Sequence, residues 1–194
     1  MSSKVFAEKR RGNLNIQSNI SFINKQDDVS LAKEGNREAF CRLIKNHEDS
    51  LYRVSKAILK SEEFCADAVQ ETIIRAYKGI ASLKDNTFFK TWLIKIAINE
   101  CNRIYNKRRK IEVKEHAMKD ELPYTDSSAE NIEVRQAVSG LEQELRVTVV
   151  LFYFEDVPVK DIACILGIPE GTVKSRLSRA RSKLLNSLSA GEVM

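Results

Sequence analysis

VKDIACILGIPEGTVKSRLSRAR, residues 159–181, sets two helical patterns on either side of a short break. Ile162, Ala163 and Leu166 recur three and four residues apart, the spacing of one helix face. Gly167-Ile168-Pro169 interrupts them, and glycine tolerates the positive φ that a tight turn needs. Val173, Leu177, Ala180 and Leu184 then form a second inner stripe. Ala163 is small enough for the second helix to cross closely, and Ile168 can plug the space under the turn. This is the layout of a helix-turn-helix. Thr172, Lys174, Ser175, Arg176, Ser178, Arg179 and Ser182 are left nearer the open side. Arg and Lys can pair with guanine edges or neutralise phosphates, and Ser and Thr are short enough to let a helix sit deep in a major groove. The N–H groups of Gly171 and Thr172 offer a phosphate seat at the helix start. Basic residues at helical spacing alone describe any solvated helix; the preceding helix and turn tip the reading to duplex DNA.

Upstream, Pro158 suits the first position of the helix over 159–166. Another helix is expected over 141–154, after one ending at Gly140. Between Glu112 and Glu133 the character changes. Glu112, Glu115, Asp120, Glu121, Asp126, Glu130 and Glu133 outnumber Lys114 and Lys119, and Pro123 breaks any helix, so 112–131 reads as a flexible acidic linker. Before it, patterning starts near Val29 and is interrupted at Gly35-Asn36, where Asn36 can cap the next helix. Phe40, Leu43, Ile44, His47, Leu51, Val54 and Ile58 follow as one buried face. Further helices are expected over 64–80, with Ala68, Thr72, Ala76 and Ile80 on one stripe, and over 88–111, with Trp92, Ile96, Cys101, Ile104 and Tyr105 giving the apolar side. Residues 1–27 are polar and weakly periodic, with Lys4, Lys9, Arg10 and Arg11: a mobile extension. The expected fold class is all-α, with one small helical bundle over 28–111, the linker 112–131, and a second bundle over 132–194 that carries the helix-turn-helix.

The 194 residues carry a net charge of +5, with 43% hydrophobic and 30% charged residues and only 3 prolines and 7 glycines, a balance that suits two small helical domains. Cys41, Cys65, Cys101 and Cys164 form no C-x-x-C pair, and neither His47 nor His116 has ligand spacing to them. Buried, reduced thiols are expected rather than zinc or disulfides. No apolar run reaches the length of a membrane span and the N-terminus lacks a signal-peptide core, so a cytoplasmic protein without membrane insertion is expected. No carboxylate cluster, phosphate-cradling glycine loop or nucleophile–histidine arrangement points to catalysis, a metal or a cofactor.

Three more surfaces stand out. Asp67, Gln70, Glu71, Ile74 and Lys78 share the side of the 64–80 helix away from its apolar stripe. Glu71 can pair with Arg75 four residues on. A solvated face would look the same but for Ile74, whose exposure favours an interface. The long helix ends NECNRIYNKRRK, residues 99–110. Asn99, Asn102, Arg103 and Asn106 suit base edges and phosphates, and Lys107, Arg108, Arg109 and Lys110 suit DNA backbone, although a basic helix end also complements the helix dipole. In the loop over 82–87, Asp85, Asn86 and Thr87 supply short polar groups. Of the aromatics beside it, Trp92 reads as core, while Phe88 fits core and base stacking equally.

GIPEGTVKSRLSRAR, residues 167–181, closely resembles region four of the extracytoplasmic-function sigma factors and, more loosely, a motif of response regulators. DAVQETIIRAYK, residues 67–78, and FFKTWLIKIAIN, residues 88–99, resemble region two of the same sigma family. The likeness covers 28–188. It implies a sigma factor with two partners, core RNA polymerase and promoter DNA. Asp67, Gln70, Glu71 and Ile74 would dock on the clamp helices of the largest polymerase subunit, and the C-terminal bundle would meet the flap of the second-largest. Thr172, Lys174, Ser175, Arg176, Ser178 and Arg179 would read the −35 element. Asn99, Asn102, Arg103, Asn106, Lys107 and Arg108 would read the −10 element, with the Asp85-Asn86-Thr87 loop capturing an extruded base. Opening a duplex without ATP requires such a preference for the single-stranded state. The linker would thread the active-site and RNA-exit path, and a membrane-associated anti-sigma factor would be the regulator. Two departures from common family patterns are Asp85-Asn86 in the loop, where Arg-Gly or Gly-Glu is frequent, and Leu141-Glu142 in place of Leu-Pro. A regulator that binds duplex DNA without joining polymerase would explain 159–181, but not the 67–78 face or the acidic linker. A protein-only, anti-sigma-like module would not bind DNA through its C-terminal half.

Overall fold

The computed structural model describes residues 28–115 and 132–191; the expectations for 1–27 and for most of the linker lie outside them. Nine helices make up the described residues. A short α1 over 28–33 is followed by α2 (Arg37–Lys45), α3 (Glu48–Ile58), α4 (Glu62–Gly79) and α5 (Phe89–Glu115), with single 3₁₀ turns at Ile80–Ser82 and Asn86–Phe88. The second bundle holds α6 (Ile132–Ser139), α7 (Gln143–Val149), α8 (Val159–Leu166) and α9 (Glu170–Gly191).

Asn36 caps α2 as its chemistry suggests, its Oδ1 accepting from the Ala39 N–H at 3.0 Å. The single face expected from Phe40 to Ile58 belongs to two helices, broken at Asn46-His47. His47 is buried and its Nδ1 lies 2.8 Å from the Leu43 carbonyl, while Glu48 and Asp49 favour the fresh N-terminus of α3. Both helices turn the same side inward, so hydrophobic period alone does not show the break.

Cys65, Ala68, Thr72 and Ala76 are the buried stripe of α4, and their small size lets α5 approach closely. The Thr72 hydroxyl donates to the Ala68 carbonyl at 2.6 Å, so its burial leaves no polar group stranded. The core side of α5 is Phe89, Leu93, Ile94, Ala97, Ile98 and Cys101. This corrects the expected stripe: Trp92, Ile96 and Ile104 are only half-buried and Tyr105 is exposed. The difference arises because α5 is covered by α3 and α4 and also by α8, which shifts its inward face.

In the C-terminal bundle the helix-turn-helix forms as read. Ile162 and Ala163 face inward, joined by Ile165, and Val173, Leu177 and Ala180 line α9. Gly167 adopts φ 65°, and Ile168 caps the turn through its N–H to the Ala163 carbonyl. Pro158 stands one position earlier than expected, as the cap of α8. The expected 141–154 helix begins at Gln143 and ends in a widened turn, Val150–Phe154, where the Glu155 N–H reaches back to the Val150 carbonyl. Asp156, at φ 53°, then reverses the chain; Asp is among the few residues that visit this region readily.

The two bundles pack on one another. α3 lies against α7 and the widened turn, and α5 lies against α8. One hydrophobic cluster runs from Val54, Ala57, Ile94 and Ile98 to Leu145, Leu151, Ile162 and Leu177. A second cluster, including Phe40, Leu43, Leu51, Leu93 and Ala97, belongs to the N-terminal bundle alone.

Candidate nucleic-acid and polymerase interfaces

On α9, Lys174, Ser175, Ser178 and Arg179 are exposed opposite the Val173–Leu177–Ala180 stripe. Thr172 is half-buried. Arg176 is turned inward instead: its side chain is 15% exposed and its Nη2 sits 2.5 Å from Glu144 on α7. The Thr172 N–H, expected to be open for a phosphate, donates to the Pro169 carbonyl at 2.9 Å. That N–H is taken up by the first turn of α9 itself.

On α5, Asn99, Asn102, Arg103 and Asn106 follow one another along a single exposed face, continued by Lys107 and Arg109. Arg108 is half-buried, its guanidinium 4.2 Å from the centre of the Phe64 ring. Arg103 donates through Nε to Glu100 at 2.8 Å, and this carboxylate holds the Arg103 guanidinium more firmly protonated than usual. Glu100 is itself buried at 4% exposure and takes a second cation, Arg75 on α4, at 2.6 Å. Arg75 therefore spends its charge on Glu100, not on the expected partner Glu71. Sequence reading passed over Glu100; the signal was an acid one residue before the buried Cys101 in an otherwise basic helix end.

The loop before α5 is satisfied from within. Asp85 accepts from the Thr87 N–H at 2.9 Å and from its hydroxyl at 2.7 Å, bonds that lower the Asp85 pKa. Asn86 donates to the Ser30 hydroxyl at 2.8 Å and accepts from Lys33 at 3.1 Å, tying the loop to α1. Of the three aromatics, Phe89 is core, Trp92 is half-buried against Gly79, and Phe88 is exposed. On α4, Asp67, Gln70 and Ile74 are exposed opposite the Cys65–Ala68–Thr72–Ala76 stripe, and Glu71 is half-buried at their edge, near enough to Arg103 of α5 to favour its charge.

Two of the four cysteines correct the expectation of burial: Cys41 and Cys164 are exposed. Cys65 and Cys101 are buried, which pushes their thiols up to about 12 and about 11. No helix among the described residues is long and apolar enough to cross a membrane.

A helix-turn-helix bundle packed on a second bundle with its own polar, basic helix face defines a two-domain transcription factor. The family models agree in order and place: "Sigma-70 region 2" matches residues 43–111 and "Sigma-70, region 4" matches 131–184. The ECF RNA polymerase sigma factor SigM of Mycobacterium tuberculosis is 32% identical over 158 residues, covering 79% of each chain. SigW of Bacillus subtilis, likewise an ECF sigma factor, is 30% identical over 176 residues, covering 82% of this chain and 94% of its own. Among solved structures, the sigma factor RpoE of Bartonella quintana, in complex with the anti-sigma factor NepR, superposes with a TM-score of 0.67 at 25% identity, over 77% of this chain and 96% of that one. The chain belongs to the extracytoplasmic-function sigma factors of RNA polymerase. It is an initiation factor that works with polymerase at promoters, not a regulator acting without it.

Proposed function

We propose that three surfaces divide the work of initiation. The exposed Lys174, Ser175, Ser178 and Arg179 read the −35 element, with Thr172 at the edge of the contact. Arg176 supports that helix from behind through Glu144. Asn99, Asn102, Arg103, Asn106 and Lys107 contact the −10 element, with Arg108 alongside them on Phe64. The exposed Asp67, Gln70 and Ile74, flanked by Glu71, dock on the clamp helices of the largest polymerase subunit, while the C-terminal bundle meets the flap of the second-largest.

The observation that carries this reading is the exposure of every one of these faces on helices whose opposite sides are core. The loop over 82–87 keeps its place beside the −10 face, but its polar side chains bond to each other and to α1. Phe88 is then the group most free to stack on an unpaired base. An anti-sigma factor is the proposed regulator, membrane-associated as the family resemblance implies; the complex of the related RpoE supports a partner of this class. The protein would act in the cytoplasm, where polymerase and promoter meet.

Run-off transcription with core polymerase tests the whole reading. Wild-type protein is expected to give discrete promoter-dependent transcripts. Asp67→Lys combined with Glu71→Lys should compete poorly for core polymerase while keeping a wild-type circular-dichroism spectrum. Undiminished competition would remove α4 from the polymerase contact.

A further inference from the structure

Glu100 is a buried acid in a helix end otherwise given over to cations and amides, and none of the three proposed surfaces uses it. Its side chain meets two guanidinium groups. Oε1 lies 2.6 Å from Nε of Arg75 on α4, and Oε2 accepts from Nε of Arg103, one turn on along α5, at 2.8 Å. Both oxygens are thus engaged by cations, which offsets the cost of burying the carboxylate. The two arginines are themselves half exposed.

The way Arg103 is held decides what it can do. A guanidinium is a planar fork whose N–H groups lie in one fixed geometry. Glu100 takes the inner donor, on Nε, which fixes the plane of the fork and leaves the outer groups on Nη1 and Nη2 for another partner. Those outer groups are the ones that pair with a guanine edge or with two phosphate oxygens. Asn99 and Asn106 flank Arg103 on the same exposed face, so the fork stands among amides that suit base edges. Charge is trimmed at the same place. Two arginines on one carboxylate leave a single net positive charge where a bare pair would carry twice that, and a bare pair attracts any phosphate chain whatever its sequence. Arg75 keeps the carboxylate paired when Arg103 turns to DNA, so engagement strands no buried charge.

We infer that Glu100 is a positioning residue of the −10 contact: it aims the Arg103 fork and cancels one of two neighbouring positive charges, so that this part of α5 discriminates between sequences instead of attracting phosphate generally. The inference rests on the proposed role of Arg103 at the −10 element.

The test uses holoenzyme assembled from the full chain and core polymerase. It is titrated with a promoter duplex and with the same duplex carrying a scrambled −10 element, over a series of salt concentrations. Circular dichroism checks the fold of each variant. Glu100→Gln keeps the shape and loses the charge. It is expected to lower the preference for the intact element roughly tenfold. Binding to the scrambled duplex should tighten, and the slope of log affinity against log salt should steepen by up to about one. A purely structural role would weaken both duplexes and leave the slope alone. Glu100→Asp retains the charge and should keep the wild-type slope. Glu100→Gln combined with Arg103→Ala should discriminate no worse than Arg103→Ala alone, since Glu100 acts through Arg103. Arg103→Lys, at an exposed site, tests the same point without touching the buried acid. It keeps the charge but not the fork, and should lose preference with an unchanged slope. Unchanged preference in Glu100→Gln or in Arg103→Lys, a wild-type slope in Glu100→Gln, a steepened slope in Glu100→Asp, or additive losses in the double variant overturns the inference. If Arg103→Ala itself leaves the preference intact, the −10 role of Arg103 fails and the inference is overturned with it. If Arg103→Ala loses the preference and Glu100→Gln keeps it, the −10 role stands and Glu100 alone is misassigned.

Discussion

Single side chains separate what sequence can disclose from what it cannot. Gly167 was legible, because an apolar helix ending in glycine before Ile-Pro needs a left-handed residue there, and the observed φ is 65°. Arg176 was not: its partner Glu144 lies 32 positions away, and no local pattern distinguishes it from Arg179. The difference predicts unequal variants. Arg179→Ala should weaken specific promoter binding by about 1–3 kcal/mol if Arg179 contacts a base. Arg176→Ala should act mainly on stability of the C-terminal bundle and leave the preference between promoter and random DNA nearly unchanged. Competition binding with both variants checks this, and equal loss of discrimination would return Arg176 to the groove. The thiols make a second case. Buried Cys65 and Cys101 stay protonated up to about 12 and about 11, whereas an unfolded thiol ionises near pH 8.5. A disulfide reagent at pH 8 should modify Cys41 and Cys164 quickly and the buried pair only on unfolding. Because the folded pKa is the higher one, the folded state holds more protons above pH 8.5. Stability is fully present below that pH and falls as pH rises toward 11–12, by up to about 1.4 kcal/mol per pH unit for each thiol. Urea midpoints measured from pH 8 to 11, for wild type and Cys101→Ala, should diverge with that sign.

Helices and loops were legible where their period or their ends were marked by special chemistry. The boundaries of α8 follow from Pro158 and Gly167, and α9 from its four-residue inner stripe. The break between α2 and α3 was hidden because His47 continues the buried side of both. The core face of α5 was misjudged for a related reason. A helix covered by neighbours from two bundles has a wide apolar arc, and Trp92, Ile104 and Tyr105 sit at its edges. The loop before α5 shows the limit most clearly: Asp85, Asn86 and Thr87 have the right chemistry for a base edge, but their bonds to Ser30, Lys33 and one another follow from no local pattern. Phe88 carries the resulting prediction. It is 50% exposed at the start of α5, so Phe88→Ala should leave the core intact. If its ring stacks on an unpaired base, the variant should open duplex promoters several-fold more slowly, consistent with a loss of about 1–3 kcal/mol of stacking. On a template with a pre-formed bubble the defect should shrink, because unstacking no longer opposes opening. Permanganate footprinting on both templates makes the comparison, and an equal defect on each would assign Phe88 to a role other than melting.

At the scale of the whole molecule, two bundles in this order were legible in the sequence, but not the contact between them, where Glu155 lies 3.1 Å from Arg53 and 3.0 Å from Lys90 and Arg146 donates to the Ala57 carbonyl at 2.8 Å. Glu155 looks like one more acid after an aromatic run, and Arg146 like a surface cation on a helix. Their roles depend on partners 65 to 102 residues away, beyond the reach of any periodicity. Once paired, they make the folding of the bundles interdependent. A cluster shared by α3, α5, α7, α8 and α9 should unfold as a unit, so free protein is expected to show one calorimetric transition with matching calorimetric and van't Hoff enthalpies. Arg146→Ala is the informative perturbation. Burial lowers the pKa of this guanidinium, and its charge is met by the hydrogen bonds it donates to three backbone carbonyls. Removing it strands one acceptor across the boundary and two within its own bundle, which should cost about 3 kcal/mol. For a chain of this size that lowers the midpoint by about 6–12 °C. Part of the loss falls on the Ala57 contact, so the variant should also begin to unfold in two steps as the bundles uncouple. A wild-type trace already resolved into two independent transitions, or an Arg146→Ala trace that shifts without broadening, would mean that the bundles touch without sharing their stability.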